Sequence, residues 1–188
     1  YDINEVNLDF KILNIHKEHD TMEILLIAAV QQLVYSVSDI VNSAGIECSI
    51  LDVAGFALAN CFEANYGILD GQIIGIINVG SSVSNFVIID SGEVVFSRDI
   101  PIGGLIYTNE LAKSLGVTMS EAEGMKLGLS SGQAVPEEAS AIIENTHAVV
   151  LDEVVGSIEF FQNTSNSQLN KLYYTGGGSA TFGFEQAI

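Results

Sequence analysis

Gly71-Gln-Ile-Ile-Gly-Ile-Ile-Asn78-Val-Gly80-Ser-Ser-Val-Ser84-Asn-Phe-Val-Ile-Ile-Asp90-Ser-Gly92-Glu-Val-Val-Phe-Ser-Arg98-Asp-Ile-Pro-Ile-Gly-Gly104 alternates apolar, β-branched runs with short glycine-containing breaks. The pattern predicts a meander of three strands: Ile73 to Val79, Val83 to Ile89 and Glu93 to Ser97. The second break, Asp90-Ser-Gly92-Glu93, has the residues of a tight hairpin, with Gly92 able to take a positive φ. The first break is unusual because Gly80 is followed by Ser81, Ser82 and Ser84. Bare backbone N–H groups and hydroxyls there suit either an ordinary hairpin or a cradle for an anion.

Around this stretch the chain has 188 residues, 48% of them hydrophobic, enough for one medium domain or two small ones. Its 24 acidic and 6 basic residues leave a formal charge of -18. That charge argues against nucleic acid and against an anionic membrane surface, both of which attract Lys and Arg. It does not exclude a nucleotide, whose phosphates need only one local set of N–H donors. Cys48 and Cys61 stand in no metal or redox spacing and read as small buried thiols of a reducing compartment. No apolar run approaches the ~20 residues of a membrane span, so no direct membrane insertion is expected. His16, Glu18, His19 and Asp20 can be sketched as metal ligands, but a solvated hairpin tip accounts for them better. Nothing has the pattern of a nucleophilic triad.

Before the meander, Val6, Leu8, Phe10 and Ile12 alternate with polar residues as a half-buried strand, and Glu23 to Ala29 is a buried strand. Leu33, Val37, Ile40, Val41 and Ala44 recur at helical spacing up to Gly45. Ile46 to Val53 is expected as a further strand, completing a βαβ unit with parallel neighbours. Asp52 stands where it would cap a helix running to Tyr66. After the meander, Gly103-Gly104 opens a helix to Leu115. Thr118-x-x-Glu121 and Ser120-x-x-Glu123 are overlapping capping boxes, and the helix they start carries Glu123 and Lys126 on one face. Leu127 to Pro136 reads as a loop, and Pro136 to Phe161 as a long amphipathic helix with His147 on its outer side. Asn163 to Asn170 reads as a polar linker. Finally Leu172-Tyr-Tyr-Thr175 is a strand running into Gly176-Gly177-Gly178-Ser179 and a helix start, where a flat ligand can lie on bare backbone.

The order of these parts resembles the second half of the actin-like ATPase superfamily. Within it the chain is most similar to the PilM family of type IV pilus assembly. The resemblance is carried by Asn4-Glu-Val-Asn-Leu-Asp-Phe, Ile24-Leu-Leu-Ile-Ala-Ala, Leu51-Asp-Val-Ala-Gly-Phe-Ala-Leu, Phe96-Ser-Arg-Asp-Ile-Pro-Ile-Gly-Gly and Glu121-Ala-Glu-Gly-Met-Lys. It implies an α/β, actin-like (ribonuclease H-like) fold with the second lobe and the end of the first, the remainder of the first lobe lying before Tyr1. On that likeness residues 1–51 are the remnant of the first lobe. Residues 52–104 with 162–188 form a nucleotide-binding subdomain, and residues 105–161 a helical insertion.

The resemblance also implies ATP or ADP with magnesium as ligand. Gly80, Ser81, Ser82 and Ser84 match the second phosphate loop. Glu123 and Lys126 match the pair that meets the nucleoside, and Gly176, Gly177, Gly178 and Ser179 the adenosine loop. Asn78, where hydrolytic relatives carry Asp, would touch magnesium only through water, which implies little or no hydrolysis. A cleft with one wall missing should bind nucleotide weakly. The implied role is a cytoplasmic scaffold held at the inner membrane by the N-terminal peptide of a PilN-like partner, alongside other pilus assembly proteins. The alternatives are a sugar or carboxylate kinase, with Asp99 the only nearby base, and a polymerising division protein like FtsA. All of these require the bend at Gly80 and the triple glycine to lie together.

Overall fold

The computed structural model describes residues 2–18 and 20–188; His19, and with it the sketched His16–His19 ligand set, lies outside the described residues. The chain divides into two compact units, Tyr1–Asp52 and Val53–Ile188.

In the first unit a short 3-10 turn, Ile3–Glu5, leads into β1 (Val6–His16), which pairs antiparallel with β2 (Thr21–Val30) and is followed by α1 (Gln31–Ser43). The register sets Phe10 opposite Leu26 and Ile12 opposite Ile24, so the apolar set of both strands shares one face. Residues 46–53 form no strand, contrary to the expected βαβ unit. Their apolar alternation meets no neighbouring strand among the described residues, and a β-ladder needs one for its N–H and C=O groups. Ile46 and Ile50 stand exposed, and the unit is a hairpin followed by a helix.

The second unit starts with α2 (Ala54–Tyr66), whose N-cap falls on Val53 and not on Asp52. The meander follows as β3 (Ile73–Val79), β4 (Ser84–Asp90) and β5 (Glu93–Ile100). Its second turn has positive φ at both Ser91 and Gly92, the primed geometry that matches the twist of a two-residue hairpin. Three helices come next: α3 (Leu105–Leu115), α4 (Met119–Ser130) and α5 (Glu137–Ser165). The chain then returns as β6 (Lys171–Thr175), parallel to β3, and ends in a 3-10 turn (Gly177–Ala180) and a short α6 (Phe184–Ala187). The sheet order is β5-β4-β3-β6.

Strand parity decides what each face buries. Ile77, Val79, Phe86, Ile88 and Ile100 pack with Tyr107 and Leu111 of α3, Ala122 of α4, and Ile143, Val150 and Val154 of α5. On the opposite face Ile74, Ile76, Val87 and Ile89 pack with Ala59 and Phe62 of α2. Two helix boundaries move from their expected places. Helix α4 extends to Ser130, shortening the expected loop from Leu127, because Gly128 packs against Val135. Helix α5 runs on to Ser165 and stops at Asn166, which takes the left-handed conformation of a C-terminal cap.

His147 is buried, not on the outer side of α5. Its Nε2 lies 2.9 Å from the Phe182 carbonyl and its Nδ1 2.9 Å from the Tyr107 hydroxyl. A carbonyl only accepts, so Nε2 carries the proton and Tyr107 donates to Nδ1. Burial pushes the Tyr107 hydroxyl well above its ordinary pKa, which keeps it a donor. This pair ties α3 and α5 to the segment that follows the triple glycine. The thiols also depart from expectation: Cys61 is exposed and Cys48 half-buried.

Candidate functional site

Three glycine segments of the second unit converge at one end of its sheet. Parallel pairing sets Asn78 of β3 beside Thr175 of β6, so both strands deliver their glycines to the same edge. Gly176 takes φ +91, a conformation glycine holds without strain, and turns the chain across the end of β3. A methyl group built on Gly178 would lie 2.5 Å from Val79 Cγ1 and 2.9 Å from the Gly80 carbonyl oxygen. One built on Gly103 would lie 2.6 Å from the carbonyl oxygens of both Gly80 and Ser81. Hydrogen bonds close the same contact, Gly104 N–H to Gly80 O and Leu105 N–H to Ser81 O, each 2.8 Å. The two bends required to lie together therefore do, packed backbone on backbone.

The glycines consequently divide by role. Gly176 and Gly178 are small because Val79 and Gly80 press on them, not because a ligand does. At Gly177 an added methyl group would meet nothing within 4 Å, and the residue is exposed. Ser81 and Ser82 are exposed too, and the bonds that close the turn use Gly80 N–H and the carbonyls of Gly80 and Ser81. The Ser81 and Ser82 N–H groups take no part in those bonds. The rim that can receive a ligand is thus Ser81, Ser82 and Gly177, braced from behind by Gly80, Gly103, Gly104 and Gly178. The Gly103-Gly104 pair reads from sequence only as a helix opening; two adjacent glycines directly after a Pro-containing turn were the signal for a close backbone contact.

Ser84 leaves the expected phosphate set. It shares a face with Phe86 and Ile88, is 1% exposed, and donates its hydroxyl to Ile102 O at 2.6 Å. Ser179 also bonds inward, its hydroxyl donating to Gly176 O at 2.7 Å. Thr118 and Glu121 make the capping box of α4. That leaves Glu123 free of a capping role, and it accepts from the Thr108 hydroxyl instead.

Lys126 Nζ is 2.7 Å from Glu123 Oε2, 3.0 Å from Thr108 Oγ1 and 3.3 Å from Gly104 O. An ammonium has three protons, and these three acceptors engage them all. Partial burial works against the Glu123 carboxylate, but Lys126 and Thr108 outweigh it and hold its pKa below the ordinary range. The pair braces Gly104 from the α4 side. Arg98 likewise turns to structure, reaching Ser157 Oγ at 2.9 Å and Glu153 Oε2 at 3.0 Å on α5.

Asn78 lies at the end of β3 with its Oδ1 against Gly176. Its Nδ2 donates to Asn85 Oδ1 at 3.0 Å, and Asn85 Nδ2 donates to Asp99 Oδ1 at 2.7 Å. Exposed Ser81 and Ser82 with a bare Gly177 offer N–H groups and open backbone to an anion, and the Asn78 oxygen lies against Gly176 of the same glycine run. No group of His, Cys, Asp and Glu among the described residues could hold a metal by itself. No helix of the described residues is long and apolar enough to cross a membrane.

The family model described as type IV pilus assembly protein PilM matches residues 1–188. Among solved structures, a PilM–PilN type IV pilus biogenesis complex matches with a TM-score of 0.81 at 22% identity, covering 98% of this chain and 53% of that one. MreB5 of Spiroplasma citri bound to ADP matches with 0.62 at 18% identity, covering 84% and 57%. The ethanolamine utilization protein EutJ from Carboxydothermus hydrogenoformans matches with 0.61 at 21% identity, covering 80% and 50%. The chain spans about half the length of the solved structures it matches. These likenesses establish the mixed α/β fold of the actin-like proteins.

Proposed function

The chain belongs to the type IV pilus assembly protein PilM family, and on that premise we propose that it acts as an actin-like scaffold of pilus assembly that holds ATP or ADP. In this reading residues 1–51 belong to a first lobe. Residues 52–104 with 162–188 form the nucleotide subdomain, and residues 105–161 the helical subdomain. The observation that carries it is the direct packing of Gly80, Gly103, Gly104 and Gly178, which leaves Ser81, Ser82 and Gly177 as an exposed rim. Ser81 and Ser82 N–H groups hold phosphate, and Gly177 admits the nucleoside. Asn78 Oδ1 would accept a hydrogen bond from a hydrated magnesium ion, whose charge would offset that of the phosphates. Lys126 and Glu123 support the cradle through Gly104.

The ADP-bound MreB5 relative supports the choice of ligand. The likeness to the PilM–PilN complex supports a partner of PilN type, which in this reading binds through its cytoplasmic N-terminal peptide. That contact would hold a cytoplasmic protein at the inner membrane. The amide oxygen of Asn78 offers a metal-bound water only a dipole where a carboxylate would offer a full charge, so hydrolysis is slow or absent. A kinase reading requires Asp99 as base, but Asp99 accepts from Asn85 and so serves the strand ladder.

Isothermal titration of the full-length protein with ATP and magnesium tests the reading. Saturable binding without sugar-dependent turnover is expected; no heat at millimolar nucleotide overturns it. The same titration with the N-terminal peptide of the PilN-type partner tests the scaffold role.

A further inference from the structure

A polar row crosses three strands beside the cradle. Register sets Asn78 opposite Asn85 and Asn85 opposite Asp99, so three polar side chains stand in line on one face of the sheet. The other positions of β3 and β4 on that face, Ile74, Ile76, Val87 and Ile89, are buried apolar residues. The row has only one consistent direction. A carboxylate accepts and cannot donate, so Asn85 must present Nδ2 to Asp99 and therefore Oδ1 to Asn78. Asn78 must then present Nδ2 to Asn85, which leaves its Oδ1 turned toward Gly176. Without the carboxylate both amides can flip together, and Asn78 would offer an NH2 group at the same place.

We propose that Asp99 is a positioning residue that acts through Asn85 to hold a carbonyl oxygen, rather than an amino group, of Asn78 toward the cradle. The cradle thereby selects a nucleotide carrying a hydrated divalent cation over the bare anion. An oxygen accepts from metal-bound water, whereas an NH2 group donates to phosphate oxygen. This inference rests on the nucleotide reading above.

Two measurements on the full-length protein test it. The first is the ratio of ATP affinities with magnesium and with EDTA, for wild type and Asp99→Asn. The wild type prefers the magnesium complex, and the isosteric amide, which can face either way, lowers that preference about fivefold. Should Asp99→Asn prove unstable, Asn85→Ala breaks the same row and is read in its place. The second needs no nucleotide. Asn78→Asp puts carboxylates at both ends of Asn85 and lowers Tm, while Asn78→Asp with Asp99→Asn recovers it, because the row then runs in reverse. Read in about 1 M salt, where charges more than about 3 Å apart are screened, the recovery reports hydrogen bonding. Wild type that binds nucleotide with a magnesium preference unchanged by Asp99→Asn overturns the inference alone, as does additive Tm loss in the double variant. Wild type that binds no nucleotide overturns the nucleotide reading and this selection with it.

Discussion

Val53–Ile188 and Tyr1–Asp52 obey the same patterning rules, yet only the former closes a core. In the larger unit, residues one position apart on β4 go to opposite faces and both are covered: Phe86 by α3 and α5, Val87 by α2. In the smaller unit Val6 is the one buried apolar side chain among the described residues, and Phe10 is 59% exposed although its alternation is equally regular. Alternation states which face requires burial; it does not state that anything in the chain supplies it. The larger unit supplies it from α2 on one side and from α3, α4 and α5 on the other.

The sharpest way to break this contrast is to separate the units. Residues 53–188 alone should give one cooperative urea transition, followed by circular dichroism. Residues 2–52 alone should show none, since a two-stranded hairpin and one helix bury too little. A broad, non-cooperative profile for residues 53–188 would remove the distinction. Within the larger unit, Gly178→Val forces a branched side chain into Val79 and Gly80, and should cost about 3 kcal/mol or more in the same unfolding measurement. A neutral result would mean that the glycine segments do not pack backbone on backbone.

His147→Leu keeps the volume but strands the Tyr107 hydroxyl and the Phe182 carbonyl, for a loss of about 2 kcal/mol. The smallest effect is a pH dependence. Glu123 and Glu121 both have carboxyls held below the ordinary glutamate value of 4.5, by the contacts of Glu123 to Lys126 and Thr108 and by the hydrogen bonds of Glu121 to Thr118. A pKa depressed on folding contributes stability in full above that value and loses it as pH falls through the lower folded one. Glu123→Gln should therefore lower the stability of residues 53–188 at neutral pH, where the ionised carboxylate contributes, and change it least in acid, so that the acid side of the profile flattens.

Where the sequence was legible and where it was not follows from the same contrast. The meander, the Thr118 cap and the long α5 announce themselves through local rules: parity, a hairpin glycine and a capping box. Ser84 was misplaced although parity with Phe86 already put it inside; the serine-rich turn drew it into the wrong group. His147 stands four residues after Ile143 and three before Val150, on the apolar stripe of α5, so its spacing marked it as a buried hydrogen-bonding residue. Ile46 to Val53 failed for a different reason, because strand formation there depends on a neighbour that local pattern cannot supply. The packing role of Gly176 and Gly178 was hidden too, since sequence distinguishes a glycine pressed by backbone from one open to ligand only after the strands are paired.

Amide hydrogen exchange of the full-length protein, with and without ATP and magnesium, tests the central claim most directly. Slowed exchange should concentrate in segments containing Ser81 and Ser82 and containing Gly177, while Gly104 and Leu105, already bonded to the turn, change little. Saturating nucleotide that leaves Ser81, Ser82 and Gly177 exchanging as in the free protein would contradict the account.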